Sequence, residues 1–114
     1  MKLPNAENAV VEQEKITEYL LNYAHRYGAS KARFFGAFVC RADQWWTFAE
    51  ALREQVRNHD VTKVRETGFG PRYEVEGTLL TPDGRRPRVR TVWQLDRGAV
   101  APRLITAYPT EERP

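Results

Sequence analysis

Residues 73–109, YEVEGTLLTPDGRRPRVRTVWQLDRGAVAPRLITAYP, read as three antiparallel strands with almost no residue left over. Pro82-Asp83-Gly84 suits a three-residue hairpin loop, in which proline presets the first turn position and glycine supplies the left-handed residue of a bulge. That loop sets the register. Thr81 faces Arg85, so Leu79 meets Pro87, Gly77 meets Val89, Val75 meets Thr91 and Tyr73 meets Trp93, with the apolar residues of both strands on one face. A two-residue loop at Asp83-Gly84 would slip the pairing by one and set Gly77 beside Arg90, mixing the faces, and is rejected. On the second face Glu76 lies opposite Arg90 and Thr78 opposite Arg88, giving a charged, mostly basic surface open to water or a ligand.

After Asp96-Arg97-Gly98, Pro102 introduces the third strand of this stretch, and Pro109, with no N–H to donate, stops it. The parity of residues 103–108 stays open. Either Ile105 and Ala107 join the core and turn Leu104, Thr106 and Tyr108 onto the charged face, or Leu104 and Tyr108 are buried.

The chain before this stretch supplies helices. Ile16, Tyr19, Leu20, Tyr23 and Tyr27 recur at helical spacing from Glu12 onward, with Gly28 as the stop, and His25 falls off the stripe, toward solvent. Ser30 is placed to cap a short second helix through Phe38 that buries Phe34, Phe35 and Phe38. Lys31 and Arg33 near its first turn oppose the helix dipole, so they either hold an anion there or are simply exposed. Asp43 is a cap for a third helix carrying Trp45, Phe48, Ala49, Leu52 and Val56 on one face. Trp46, beside that stripe, either widens the packing face or offers a stacking surface, and packing is the expectation. His59 ends this helix, and a strand over residues 61–66 follows. Val10 and Val11 are expected to pin the N-terminal lead-in to the sheet or the first helix.

The expectation is one α+β domain over residues 1–109, with 110–114 a frayed tail: two to three N-terminal helices packed on one face of a four-stranded antiparallel meander sheet. A chain of 114 residues with 41% hydrophobic content buries one core without staples, and a single cysteine, Cys40, excludes an internal disulfide. No apolar run approaches the ~20 residues of a membrane span, and Met1-Lys2 leads into polar residues instead of an apolar signal core, so the expected location is cytoplasmic. Charge is unevenly placed. Residues 1–60 carry eight Lys/Arg against eight Asp/Glu, whereas residues 61–109 carry nine against five, nearly all of the cations being arginine. Arginine grips phosphate by two parallel hydrogen bonds, although exposed arginines also simply solubilise a face.

Absences narrow the chemistry. There is no phosphate-binding glycine loop, no Cys-x-x-Cys, no His-Glu-x-x-His and no nucleophile elbow around the single serine, Ser30, so triphosphatase, zinc and serine-hydrolase readings fail. His59, Lys31, several arginines, Thr106 and Tyr108 remain, with no metal or cofactor implied. RNA cleavage by transesterification needs only such parts, because the 2′-hydroxyl is the nucleophile and the protein supplies a base, an acid and groups for the charge on phosphorus.

The segments KLPNAENA (2–9), SKARFF (30–35), Thr91-Val92-Trp93 and PRLITAYP (102–109) resemble an uncharacterised bacterial domain-of-unknown-function family, family 6883, over nearly the whole chain. Its members occur as small free-standing proteins, and similar domains end some phage-head and secreted toxin-like proteins. One departure is visible: Val39-Cys40 follows Phe38 where the family more often has Gly-Phe. Helices before a four-stranded sheet whose last strand reads Thr-Ala-Tyr are also similar to the toxin ribonuclease superfamily of barnase, colicin E-type and RelE-type nucleases. That resemblance implies an active site on the sheet, with Thr106 and Tyr108 carried over by position, Arg103 beside them, and His59 matched by type. The catalytic candidates are therefore His59, Arg103, Thr106 and Tyr108, and the substrate-binding candidates Lys31, Arg33, Arg88 and Arg90. The expected function is a metal-independent toxin-type endoribonuclease acting on RNA and held in check by a small antitoxin or immunity-like protein. The alternatives are a non-catalytic module binding nucleic acid or a protein, and an interaction domain of a phage or secretion assembly.

Overall fold

The computed structural model describes residues 1–110. Helix α1 begins at Gln13–Lys15 and continues as a π-helical turn over Ile16–Leu20; α2 is Ala29–Gly36 and α3 Trp45–Asn58. Strands β1 (Val61–Thr67), β2 (Gly70–Thr78), β3 (Arg88–Gln94) and β4 (Arg103–Pro109) follow in one antiparallel sheet of order β1-β2-β3-β4. The α+β meander expected from the sequence is the fold.

Between β2 and β3 the register is the one the hairpin loop dictates, with Tyr73 opposite Trp93, Val75 opposite Thr91, Gly77 opposite Val89 and Glu76 opposite Arg90. The amides of Leu79 and Thr81 continue the pairing to the carbonyls of Pro87 and Arg85, and Gly84 takes a φ of 83° at the loop. In β4 a bulge settles the parity. Val92 pairs with Thr106 but Trp93 pairs with Leu104, so Ile105 is an extra residue and the alternation skips a step. Leu104 and Ala107 consequently both reach the core, and each of the two simple alternations holds for part of the strand.

The core lies between the helices and one sheet face. Ile16, Leu20, Phe35, Phe48, Leu52 and Val56 meet Tyr73, Val75, Leu79, Val89, Trp93 and Leu104. A polar network centred on Gln55 and Thr91 enters it. Gln55 donates to the carbonyls of Val75 and Val89 and accepts from the Thr91 hydroxyl, which in turn accepts from the Trp93 indole, so every member is paired. At the N-terminus, Val10 donates to Pro102 and its carbonyl accepts from Leu104, while Val11 is buried. Among the described residues no helix is long and apolar enough to cross a membrane.

Three helix boundaries differ from expectation. Helix α1 stops at Leu20, where the amide of Leu21 bonds to the carbonyl of Ile16 across the π turn, so Tyr23 and Tyr27 leave the apolar stripe and stand exposed. Gly28 does not stop that helix. It precedes α2, buried so tightly that a Cβ there would overlap the Tyr19 carbonyl. Ser30 is therefore inside α2 and caps nothing, and Phe35 alone of the three phenylalanines is fully buried. Asp43 binds Arg41 through two hydrogen bonds instead of capping α3, and Trp46 is 58% exposed, so it is not core. Thr110 bonds to the Arg88 carbonyl, and the tail expected beyond it lies outside the described residues.

Candidate functional site

Strand alternation puts Arg72, Glu74 and Glu76 of β2, Arg88, Arg90 and Val92 of β3, and Thr106 and Tyr108 of β4 on the sheet face away from the core. The centre of that face is Arg90. Its Nε donates to Glu76 Oε1 at 2.9 Å, an Nη2 hydrogen goes to the same oxygen, and Nη1 donates to the Tyr108 hydroxyl at 3.3 Å. Glu74 approaches Nε at 3.6 Å. The Tyr108 hydroxyl and the Glu76 carboxylate hold the guanidinium above its ordinary value, so Arg90 is a permanent cation. An arginine has five N–H donors, of which these bonds occupy three. Carboxylate, phenol and guanidinium thus meet at one half-buried point, with donors left over for an anion.

Two residues along β4 from Tyr108, the Thr106 hydroxyl lies 2.9 Å from the Tyr19 hydroxyl. Lys31 of α2 sets its ammonium 5.4 Å from the Tyr19 ring centre and donates to the Tyr27 carbonyl at 3.1 Å. His25 packs edge-on against Tyr19, ring centres 5.0 Å apart. Its Nδ1 accepts from the amides of Tyr27 and Gly28, at 3.0 and 2.9 Å, so the ring proton of the neutral form sits on Nε2. Lys31 and Thr106 are therefore joined through Tyr19, a residue sequence reasoning gave to the core. The helix stripe concealed it. Glu76 was visible in the register as the partner of Arg90, but only the fold shows that Tyr108 completes the group.

His59 stands apart from these residues. Its ring occupies the space a Cβ of Gly77 would fill, and Gly77 faces the core side along with Val75 and Leu79. The sheet therefore lies between His59 and the Arg90–Tyr108 pair. Nδ1 of His59 is 2.7 Å from the Gln55 carbonyl, which can only accept, so the ring proton of the neutral form sits on Nδ1. His59 lines a groove of about 630 Å3 between α3 and the β2–β3 hairpin, together with Cys40, Glu50, Glu54, Thr81 and Arg86. Arg103 is engaged by Asp96, with Nε to Oδ2 at 2.7 Å, toward the opposite end of β4 from Tyr108. Arg33 and Arg88 are exposed. Among the described residues no group of three or more His, Cys, Asp or Glu is placed to hold a metal ion.

No curated protein matches the chain. Among solved structures, a chain of the contact-dependent growth inhibition toxin - immunity protein complex from Klebsiella pneumoniae 342 is similar in fold, with a TM-score of 0.73 at 18% identity, over 90% of this chain and 100% of that one. At this identity the likeness is one of fold. Residues 2–111 match the family described as a domain of unknown function (DUF6883), and the chain belongs to that family.

Proposed function

We propose that the protein is a metal-independent endoribonuclease of the toxin type, working on the sheet face away from the core, around Arg90. The observation that carries this reading is the meeting of Arg90, Glu76 and Tyr108 within hydrogen-bond reach. The Glu76 carboxylate takes the proton of a 2′-hydroxyl as that oxygen bonds to phosphorus. The phosphorus–O5′ bond breaks, and the Tyr108 phenol gives its proton to the leaving oxygen. Arg90 stabilises the charge that builds on the non-bridging oxygens, with Thr106 and Lys31 extending the polar surface along β4. The nucleophile belongs to the substrate, so this chemistry requires no metal.

The fold likeness to a member of a toxin–immunity complex supports a toxin-type or an immunity-type protein, and the Arg90–Glu76–Tyr108 group favours the toxin, with a small immunity-like or antitoxin partner covering this face. RNA is the substrate, met in the cytoplasm. His59 has no part in the step, because the sheet separates it from Tyr108, and Arg103 helps to order the end of β4. The test is incubation of the purified chain with total RNA in EDTA, reading the ends formed. Fragments ending in 2′,3′-cyclic phosphate are expected. RNA that is bound but left intact would replace the enzyme with a non-catalytic module, a reading favoured by one feature, the occupation of Arg90 by Glu76.

A further inference from the structure

We propose that the turn carrying Tyr23 and Tyr27 is a base-stacking platform that delivers single-stranded RNA to the Arg90 face. This rests on the nuclease reading of that face. Tyr23 and Tyr27 are 60% and 66% exposed, although they sit in a turn whose backbone is tightly held without them. Asn22 Oδ1 accepts from the amide of Ala24, His25 Nδ1 from those of Tyr27 and Gly28, and the His25 carbonyl from that of Ala29. The Tyr27 ring therefore presents apolar area that the core does not use, while the Tyr23 ring rests its hydroxyl end on Gly36 of α2 and leaves the rest of the ring open.

The charge around them is of one sign. From Tyr19 to Cys40 the chain holds Arg26, Lys31 and Arg33 and no aspartate or glutamate. The Arg26 guanidinium lies 5.4 Å from the Tyr27 ring centre, and Lys31 bonds to the Tyr27 carbonyl while lying beside the Tyr19 ring. Contact is continuous from Tyr27 through Lys31 and Tyr19 to Thr106, which shares a face with Tyr108. Open aromatic rings among acid-free cations suit a backbone tracked by charge with bases laid on rings. An acidic protein would be drawn by the cations alone and would not need the rings. A duplex has no free base faces to offer, so the platform selects unpaired strands.

The test measures binding of a 2′-O-methyl oligonucleotide, whose blocked nucleophile makes the result independent of cleavage, as a single strand and as a duplex. The wild-type chain is expected to prefer the single strand. Tyr27→Ala should weaken that binding roughly tenfold, the loss of one base–ring stack, with duplex binding unchanged, and Tyr27→Trp should restore it. Equal affinity for both forms, or wild-type affinity in Tyr27→Ala, would overturn the platform even if RNA is cleaved. Conversely, stacking that survives in a chain that does not cleave leaves the platform standing and removes the nuclease.

Discussion

The imidazole of His59 rests on the bare backbone of Gly77, on the core side of the sheet, where any β-carbon would overlap it. Gly77 faces Val89 in the ladder, so the same contact that seats the ring keeps it away from Arg90 and Tyr108. Gly77→Ala is expected to destabilise the fold by about 1–3 kcal/mol, the usual cost of overpacking. His59→Ala should leave any RNA cleavage unchanged. Urea unfolding checks the first and a cleavage assay the second. A hundredfold loss of cleavage in a folded His59→Ala protein would return His59 to the site.

Val39 adopts a left-handed φ of 66°, and the bonds around it form a Schellman motif after α2. The Cys40 amide bonds to the Phe35 carbonyl and the Val39 amide to that of Gly36. Glycine is the residue that suits this position. Val39→Gly should therefore raise stability by about 1 kcal/mol, relief of left-handed strain outweighing the added entropy of the unfolded chain. Thermal unfolding would read it as a rise of a few degrees. An unchanged or lowered midpoint would mean that the β-branched side chain is not strained.

Local rules were enough for the hairpin, since one loop of Pro-Asp-Gly sets the pairing of two strands and every partner follows. They were not enough for β4, because the bulge at Ile105 answers to packing: Leu104 and Ala107 both reach the core only if the alternation skips. Helix α1 misled for a similar reason. Its aromatic stripe runs on past Leu20, but the close approach of Gly28 to the Tyr19 carbonyl demands a turn that periodicity does not encode. Residue type and position point to Lys31, Thr106, Arg90 and Tyr108, and the fold sets Thr106 and Tyr108 on β4, Arg90 opposite Tyr108 on β3, and Lys31 on α2 beside the Tyr19 ring. Their connecting member, Tyr19, looked like core.

Cys40 is buried, and that burial, aided by the nearby charge of Asp83, pushes its thiol up to about 11. The thiol is protonated at neutral pH and should react with a disulfide reagent far more slowly in the native chain than in urea. Equal rates would show that α2 and the β2–β3 loop open easily.

Asp83 is held low, at about 2 against an ordinary 3.8, by the hydrogen bond from the Arg85 side chain first and that from the Thr81 hydroxyl second. A carboxyl depressed on folding contributes its stability above the unfolded value and loses it as pH falls through the folded one. Acid should therefore weaken the wild-type protein between pH 3.8 and about 2, in part through this group. Asp83→Asn should be less stable above that window and show a shallower acid slope within it, read from unfolding midpoints at stepped pH. Parallel slopes for the two proteins would remove Asp83 from the acid response.

Glu76 and Tyr108 meet the same guanidinium from neighbouring strands, so a phosphate bound by Arg90 lies between a carboxylate and a phenol. Glu76→Gln removes the base and keeps the shape, and Tyr108→Phe removes the proton and keeps the ring. Each should lower cleavage by roughly 100-fold, the contribution of a positioned base or acid. Folding should change little, because both side chains lie at the half-buried surface and the core beneath is untouched. Arg90→Lys keeps the charge but loses the fork that serves Glu76 and Tyr108 together, so it should cost activity as well. Cleavage rates set beside circular-dichroism melts separate chemistry from stability. If Tyr108→Phe cleaves at the wild-type rate while Glu76→Gln does not, the leaving oxygen takes its proton from elsewhere, and His25, which packs on the Tyr19 ring whose hydroxyl meets Thr106, becomes the group to replace next.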